Sequence, residues 1–480
     1  LNYTIVIFGG NGDLTYRKLL PALYNLTHDK VLNSTFAVVA VGRRAYSNQR
    51  YQEDIYEALK KYSRFKLDED LFSKLKDNIF YKSMDFKDVN AYEDLNDYLK
   101  LIDDKFSTEG KRIYYLAVAP EYFETIVDNL HTHNMHKVNG TWSRVVIEKP
   151  FGRDLKSAQY LNQKIVSVFT EANTYRIDHY LGKEMLQNIM VIRFANTLFE
   201  PLWSNKYIEQ VQISSTETLG IGSRGEYYEK SGAIRDMAQS HLLQLLCLIA
   251  MEKPNSLNPD DIKNEKVKVL QALKQYSVEK VNNYVIRGQY ETYRQEPKVN
   301  QESDTETFVA FKTFVNNSRW QGVPFYIRTG KKMPIKTTEI IIQFKDTDNN
   351  LYPVATPNYL VIKIQPREGV FFQFNAKEPG TLQKIVPVQM DFCQNCQVGI
   401  NSPEAYERLF FDIMRTDSTL FARWDEVEYA WKFIDSIINA WKESKPKFPN
   451  YQTGSFGPKE ADELLKKDHH SWINLESDIN

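Results

Sequence analysis

The chain has 480 residues, more than one hydrophobic core usually organises; length alone suggests about three domains, and large α/β enzymes often manage with two. Lys+Arg 61 against Asp+Glu 62 leave a net charge of −1, so no global field favours nucleic acid or an anionic membrane as partner. A hydrophobic fraction of 42% with 13% aromatics argues for full-sized cores, and three cysteines (Cys247, Cys393, Cys396) exclude a disulfide framework and fit a reducing compartment.

Tyr3 to Phe8 is nearly continuous in hydrophobicity, as a strand buried on both faces should be. No secretory leader is therefore expected in these residues, and the expected location is cytoplasmic. Leu14, Leu19, Leu20, Leu23 and Leu26 then recur at helical spacing, and further strands are predicted at Phe36–Val41, Arg112–Val118 and Arg144–Glu148. Strands alternating with crossover helices predict a doubly wound, Rossmann-like parallel sheet over residues 1–175. A helix at Ser157–Phe169 ends this part of the chain; beyond it come helical patterns at Lys183–Phe194 and Ala233–Met251, then strands at Thr307–Phe314, Glu339–Phe344 and Leu360–Gln365. That mixture predicts a larger α+β domain over 176–480 with a mainly antiparallel sheet, and Lys442 to Pro458 reads as a surface tail. The most apolar stretch, Leu242 to Met251, is far short of the roughly 20 residues of a membrane span.

Gly9-Gly10-Asn11-Gly12-Asp13-Leu14 sits where the first strand hands over to a helix. Glycines there let the backbone turn tightly and approach a pyrophosphate, whose charge helix N-terminal amides would meet. Asn11 and Leu14 occupy two expected glycine positions, so an ordinary βα turn is the competing account. After the second strand, Arg43-Arg44 stands where an NAD-specific fold carries a carboxylate. Two guanidinium groups can pair with a 2′-phosphate, which favours NADP; arginine also stacks on adenine, so NAD stays open as an alternative.

Eight histidines can be weighed singly. His131, His133 and His136 read as a surface cluster, and His469 and His470 fall in the tail. Asp178-His179-Tyr180-Leu181-Gly182-Lys183 groups an acid, an imidazole, a phenol and an ammonium around a turn that opens a helix, a cradle suited to a phosphate monoester. Asp236 and His241 share the next long helix, five positions and about 140° apart in α geometry. His241 suits a general base or, equally, a satisfied polar residue at the mouth of an apolar helix. Lys149 follows a strand end, and Lys331 and Lys336 form a further basic pair. Cys393 and Cys396 have C-x-x-C spacing without a second ligand pair, so no metal is expected.

Several of these segments match one family together. The chain resembles glucose-6-phosphate dehydrogenase over essentially its full length. The carriers are Gly9 to Leu14 with Arg17-Lys18-Leu19, Ile147 to Gly152, Arg176 to Glu184, Asp236 to His241, and Trp320 to Phe325. The resemblance implies oxidation of glucose 6-phosphate at its anomeric carbon, with His241 as general base and Asp178 as its carboxylate partner. It implies that His179, Tyr180, Lys183 and Lys336 hold the phosphate, while Lys149, Glu217, Asp236 and Lys331 hold the sugar. Tyr115 and Lys149 would line the nicotinamide side, and Lys18 belongs to the cofactor segment. Arg43 would be the 2′-phosphate arginine, with Arg44 beside it.

Thr337, Ile341 and Phe456 stand where the animal enzymes' second, structural NADP site would need polar or basic groups. That site is expected to be absent, and the pattern is closer to the bacterial branch. A homodimer, or a tetramer, formed through the second domain is implied as well. The competing functions are a related hexose or hexose-phosphate dehydrogenase using both NAD and NADP, and a catalytically silent sensor of NADP and sugar phosphate.

Overall fold

The apolar runs near the start of the chain fold as strands whose residues are buried throughout. In the computed structural model, which describes residues 2–32, 36–138, 140–346, 351–352, 355–393 and 404–474, these strands are β1 (Tyr3–Phe8), β2 (Phe36–Gly42), β4 (Arg112–Leu116), β5 (Ser143–Ile147) and β6 (Thr174–Ile177). A half-exposed β3 (Ile79–Ser83) closes one edge, and β15 (Phe421–Ala422) pairs antiparallel with β6 at the other. The order β15-β6-β5-β4-β1-β2-β3, parallel from β6 to β3, is a doubly wound sheet. β1 lies between β2 and β4, so the chain leaving Phe8 emerges where the strand order reverses, the place where such sheets bind ligands. Helices begin where capping chemistry allows: Leu155–Phe169 starts on a capping box in which Asp154 and Ser157 satisfy each other's backbone N–H groups.

The second sheet has eight strands in the order β14-β13-β12-β11-β7-β10-β9-β8. These are β7 (Ile208–Thr216), β8 (Val285–Gly288), β9 (Phe308–Thr313), β10 (Phe325–Gly330), β11 (Thr337–Phe344), β12 (Tyr359–Gln365), β13 (Gly369–Lys377) and β14 (Ile385–Cys393). Among the described residues of this sheet, only β7 and β10 pair in parallel. The apolar stretch after His241 becomes the helix Leu243–Ala250, buried along its whole length. Its last carbonyls cannot reach water, and three buried side chains donate to them instead. Arg193 Nη1 reaches Leu248 O at 3.0 Å, Trp203 Nε1 reaches Ile249 O at 2.8 Å, and Trp320 Nε1 reaches Ala250 O at 2.8 Å.

Three expectations change. The chain divides into compact units Leu1–Gly182 with Pro403–Glu428, and Lys183–Ser402 with Tyr429–Asn480, rather than at 175/176. β6 pairs with β5, which carries the boundary past the Asp178 turn. Lys442 to Pro458 is not simply a surface tail. Within it Tyr451 is 5% exposed and hydrogen-bonds Lys331 O at 2.9 Å, and the Glu291 N–H donates to Tyr451 O at 3.0 Å. His470 is likewise engaged: one ring nitrogen lies 3.1 Å from the Tyr326 hydroxyl, the other 3.2 Å from Glu209 Oε1. Finally, the helix carrying Asp236 and His241 is not α throughout, since Ile234–Leu242 is wound as a π-helix.

Candidate functional site

In the first unit, Gly9 has φ +93°, and a Cβ there would lie 2.1 Å from Ala117 O, so only glycine permits the turn. The Gly9 and Gly10 amides both donate to Val41 O at 2.9 Å, and the Gly12 amide donates to Gly9 O at 2.8 Å. Thr15 Oγ1 donates to Gly9 O at 2.9 Å, and a short π-helical stretch, Thr15–Leu19, follows at once. The turn is thus bonded to the end of β2 and packed closely against Ala117 beyond β4, with Asp13 exposed and Leu14 half-buried at the helix start. Asn11 accepts a hydrogen bond from Tyr81 at 2.6 Å, while its buried Nδ2 has no acceptor among the described residues. An unpartnered buried donor within a glycine cradle fits a phosphate-bearing dinucleotide. Arg43 and Arg44 are exposed just past β2, and the Tyr81 hydroxyl lies 2.7 Å from Arg44 O, anchoring that backbone. Lys18 is turned to Glu404, 2.8 Å away.

At the ends of β4 and β5, Tyr115 donates to Glu148 Oε1 at 2.6 Å and Tyr406 donates to the same oxygen at 3.1 Å. Burial pushes the Glu148 carboxyl up to about 7, against the two phenolic hydrogen bonds and Lys149; Asp178 raises it further. Lys149 is half-buried beside it. Asp178, 1% exposed, accepts the Tyr180 N–H on Oδ1 at 3.0 Å, and its backbone oxygen accepts the Leu181 N–H at 3.0 Å. The turn is therefore built by the carboxylate itself, leaving His179 exposed and the Tyr180 ring buried 5.1 Å from the His179 ring.

In the second unit Lys183 immediately precedes the helix Glu184–Phe194, and its Nζ is 2.5 Å from Gln365 Oε1 at the end of β12. Gln365 Nε2 donates to Thr338 Oγ1 at 3.0 Å, and the exposed Lys336 immediately precedes β11. Two expected phosphate ligands thus lie at the same end of the β11–β12 pair. A second group forms where β7 and β10 end. Lys331, 3% exposed, is ion-paired with Glu217, and its Nζ sits 5.7 Å from the centre of the Tyr228 ring. Tyr227 donates to Asp236 Oδ1 at 3.1 Å.

His241 is 2% exposed on the same π-helical stretch as Asp236. Bonding from i to i+5 stacks residues five apart, so the 140° separation expected for an α-helix largely closes. Sequence reasoning missed Gln365, Tyr227 and Tyr228, which carry no motif, and Tyr406, which lies far along the chain. A cavity of about 390 Å³ lined by Lys312, Lys345, Asp468 and His470 contains none of the expected site residues.

Thr337, Ile341 and Phe456 are packed into the structure. Thr337 and Ile341 are buried in β11, and Phe456 faces the Arg328 guanidinium at 5.4 Å. The His131 and His136 rings are 4.9 Å apart, and among the described residues no three His, Cys, Asp or Glu side chains cluster as metal ligands would. Cys396 lies outside the described residues. No helix among the described residues is long and apolar enough to cross a membrane.

A doubly wound sheet with a glycine turn at its switch point, joined to a unit rich in paired cations and carboxylates, defines a nicotinamide-dependent oxidoreductase. Residues 6–188 match the model of the glucose-6-phosphate dehydrogenase NAD binding domain, and residues 190–473 match that family's C-terminal domain. The chain therefore belongs to the glucose-6-phosphate dehydrogenase family, and its activity is the oxidation of glucose 6-phosphate. It is 47% identical to glucose-6-phosphate 1-dehydrogenase of Bacillus subtilis over 98% of each chain. With the Chlamydia pneumoniae protein of the same name it shares 45%, over 98% of this chain and 96% of that one. A solved glucose-6-phosphate dehydrogenase in complex with glucose 6-phosphate superposes with a TM-score of 0.91 at 32% identity, covering 98% of this chain and 99% of that one. The Mycobacterium avium structure gives 0.86 at 32% identity, covering 98% of each.

The raised Glu148 carboxyl makes a stability prediction. The folded state holds this proton more tightly than the unfolded chain, so the cost of burying the charge is absent at low pH and grows as pH rises from the ordinary glutamate range to about 7. Glu148→Gln, which keeps an acceptor for both phenols, should gain stability relative to the parent between pH 5 and pH 8. Urea midpoints of both proteins at the two pH values check this; an equal difference at both would show that Glu148 titrates normally.

Proposed function

We propose that the chain oxidises glucose 6-phosphate with NADP as the acceptor, that His241 is the general base, and that Asp178 is its carboxylate partner. The observation that carries this reading is the second unit's arrangement. Lys183 and Lys336 share one sheet end, the Glu217–Lys331 pair forms beside Tyr228, and His241 is buried on the stretch that also bears Asp236.

Each residue then has a physical task. Lys183 and Lys336, with His179 and Tyr180, offer cationic and hydroxyl donors to the phosphate, which fixes the distance from that end of the sugar to its reacting carbon. Glu217, Asp236, Lys331 and Lys149 hold sugar hydroxyls. His241 takes the proton of the C1 hydroxyl onto an imidazole nitrogen, and the Asp178 carboxylate stabilises the cation so formed. The bound nicotinamide accepts the hydride that leaves C1, and the sugar product is the 6-phosphogluconolactone.

Gly9, Gly10, Asn11, Gly12, Asp13 and Leu14 cradle the pyrophosphate, with Lys18 able to exchange Glu404 for it. Tyr115 and Lys149 line the nicotinamide side. Arg43, aided by Arg44, reads the 2′-phosphate, and their exposure supports this because nothing among the described residues neutralises Arg43. NADP is thus favoured over NAD, and the packing of Thr337, Ile341 and Phe456 supports a chain without a second NADP site. The half-exposed edge strand β14, with Met390 and Phe392 on its surface, supports a homodimer formed through the second unit; a cytoplasmic setting belongs to the same proposal.

His241→Asn should lower kcat by about 10²-fold or more while leaving KM for glucose 6-phosphate nearly unchanged, because it removes a proton acceptor and not a binding group. Unaltered turnover by absorbance of the reduced nicotinamide would remove His241 from the role. Replacing Arg43 and Arg44 by alanine should raise KM for NADP by about tenfold or more and change KM for NAD little. Equal weakening of both cofactors would show that these side chains do not read the 2′-phosphate.

A further inference from the structure

Glu306 lies in the polar run before β9, has no motif around it, and is buried to 6% exposure. It touches the start of the π-helical stretch twice. Its Oε1 accepts the Ile234 N–H at 3.0 Å, and its backbone oxygen accepts the Ala233 N–H at 2.9 Å. Gly232, immediately before, has φ +63°, and a Cβ on it would sit 2.3 Å from the same Oε1. Glycine at 232 and glutamate at 306 are thus complementary, one clearing the space the other fills.

The next residue extends the network. Thr307 O accepts the Lys331 N–H at 3.0 Å, and Thr307 Oγ1 lies 2.9 Å from the Tyr451 hydroxyl, which also reaches Lys331 O at 2.9 Å. Two adjacent residues therefore hold the helix of Asp236 and His241 and the backbone of Lys331.

Helix N-termini leave amide donors unsatisfied, and a side-chain acceptor at the first turn fixes where the helix begins. A π-helix has poorer bonding than an α-helix and persists only where its surroundings hold it. If the first turn shifts, every residue after it rotates and slides. We propose that Glu306 is a positioning residue for the reaction: by accepting the Ile234 N–H it sets the start of the π-helical winding, and through it the placement of Asp236 and His241. The inference rests on the reading of His241 as the base.

Burial opposes the Glu306 charge and raises its pKa, while the Ile234 N–H, Arg235 and Arg287 favour the ionised form. What matters for positioning is the acceptor oxygen at the right reach, which glutamine keeps and aspartate, one methylene shorter, does not. A misplaced reacting group costs up to about 10²-fold for an error near 1 Å.

The test compares the full-length protein with Glu306→Gln, Glu306→Asp and Glu306→Ala, using glucose 6-phosphate and NADP. Glu306→Gln should keep kcat within about threefold. Glu306→Asp and Glu306→Ala should lower it by about tenfold, with KM for NADP unchanged in all three. Glu306→Asp made in the His241→Asn background should cause little further loss, since a device that places the base has nothing left to place. If Glu306→Ala does not fold, the aspartate variant carries the same comparison.

A kcat for Glu306→Asp within twofold of the parent, or a loss that adds fully to that of His241→Asn, would overturn the inference and leave Glu306 a stabilising group only. Should His241→Asn alone leave kcat unchanged, the underlying assignment of the base fails, an outcome separate from either result at Glu306.

Discussion

Hydrogen bonding from residue i to i+5 between Ile234 and Leu242 is the constraint on which the roles proposed for Asp236 and His241 depend. Wound as an α-helix, the same nine residues would point Asp236 and His241 away from each other. Wound as a π-helix, they carry both on one side. The cost of the looser winding is met at both ends. At the start, the peptide units after Gly232 are held by Glu306; beyond the stretch, Arg193, Trp203 and Trp320 occupy the carbonyls of residues 248–250. Both π-helical stretches adjoin expected functional segments, Thr15–Leu19 following the glycine turn and Ile234–Leu242 carrying His241, in keeping with the tendency of such windings to fall at sites of function.

The two units solve different electrostatic problems. In the first, the sheet presents a turn of small residues with an unpartnered amide, exposed guanidinium groups beyond β2, and a carboxyl at 148 whose charge is opposed by burial. In the second, a buried cation is matched at the end of β7 and β10, where the sugar is proposed to bind. Lys331 lies beside the partly exposed Glu217 and over the face of Tyr228, two partners that offset the cost of burying its ammonium. Lys336 lies at the opposite extreme, exposed just before β11, where a hydrated ammonium costs little to hold in reserve for an anion. The contrast suits one unit to a large polyanionic cofactor and the other to a small, hydroxyl-rich phosphate ester.

Much of the fold was legible in the residues because burial leaves a pattern. Tyr3–Phe8 and Phe36–Val41 are covered on both faces, so their continuous hydrophobicity marks strands almost to the residue. β13 and β14 are largely half-buried or exposed, and their mixed composition gives no such signal. The π winding was illegible for another reason: apolar spacing reports which face is buried, not whether the chain closes its turns at i+4 or i+5. Lys442–Pro458 has the composition of a loose end, yet its few aromatics, above all Tyr451, strap it down. Expected site residues on one motif or one strand end, such as Asp178 to Lys183, could be named from sequence. Those defined only by tertiary contact, such as Glu306, Gln365 and Tyr406, could not.

The most direct measurement is a crystal structure of the protein with glucose 6-phosphate bound. The account predicts an imidazole nitrogen of His241 within about 3 Å of the sugar's C1 oxygen, with the phosphate against Lys183 and Lys336 and residues 234–242 still bonded i to i+5. A sugar bound with its C1 hydroxyl out of reach of His241, or a phosphate held by other residues, would contradict it.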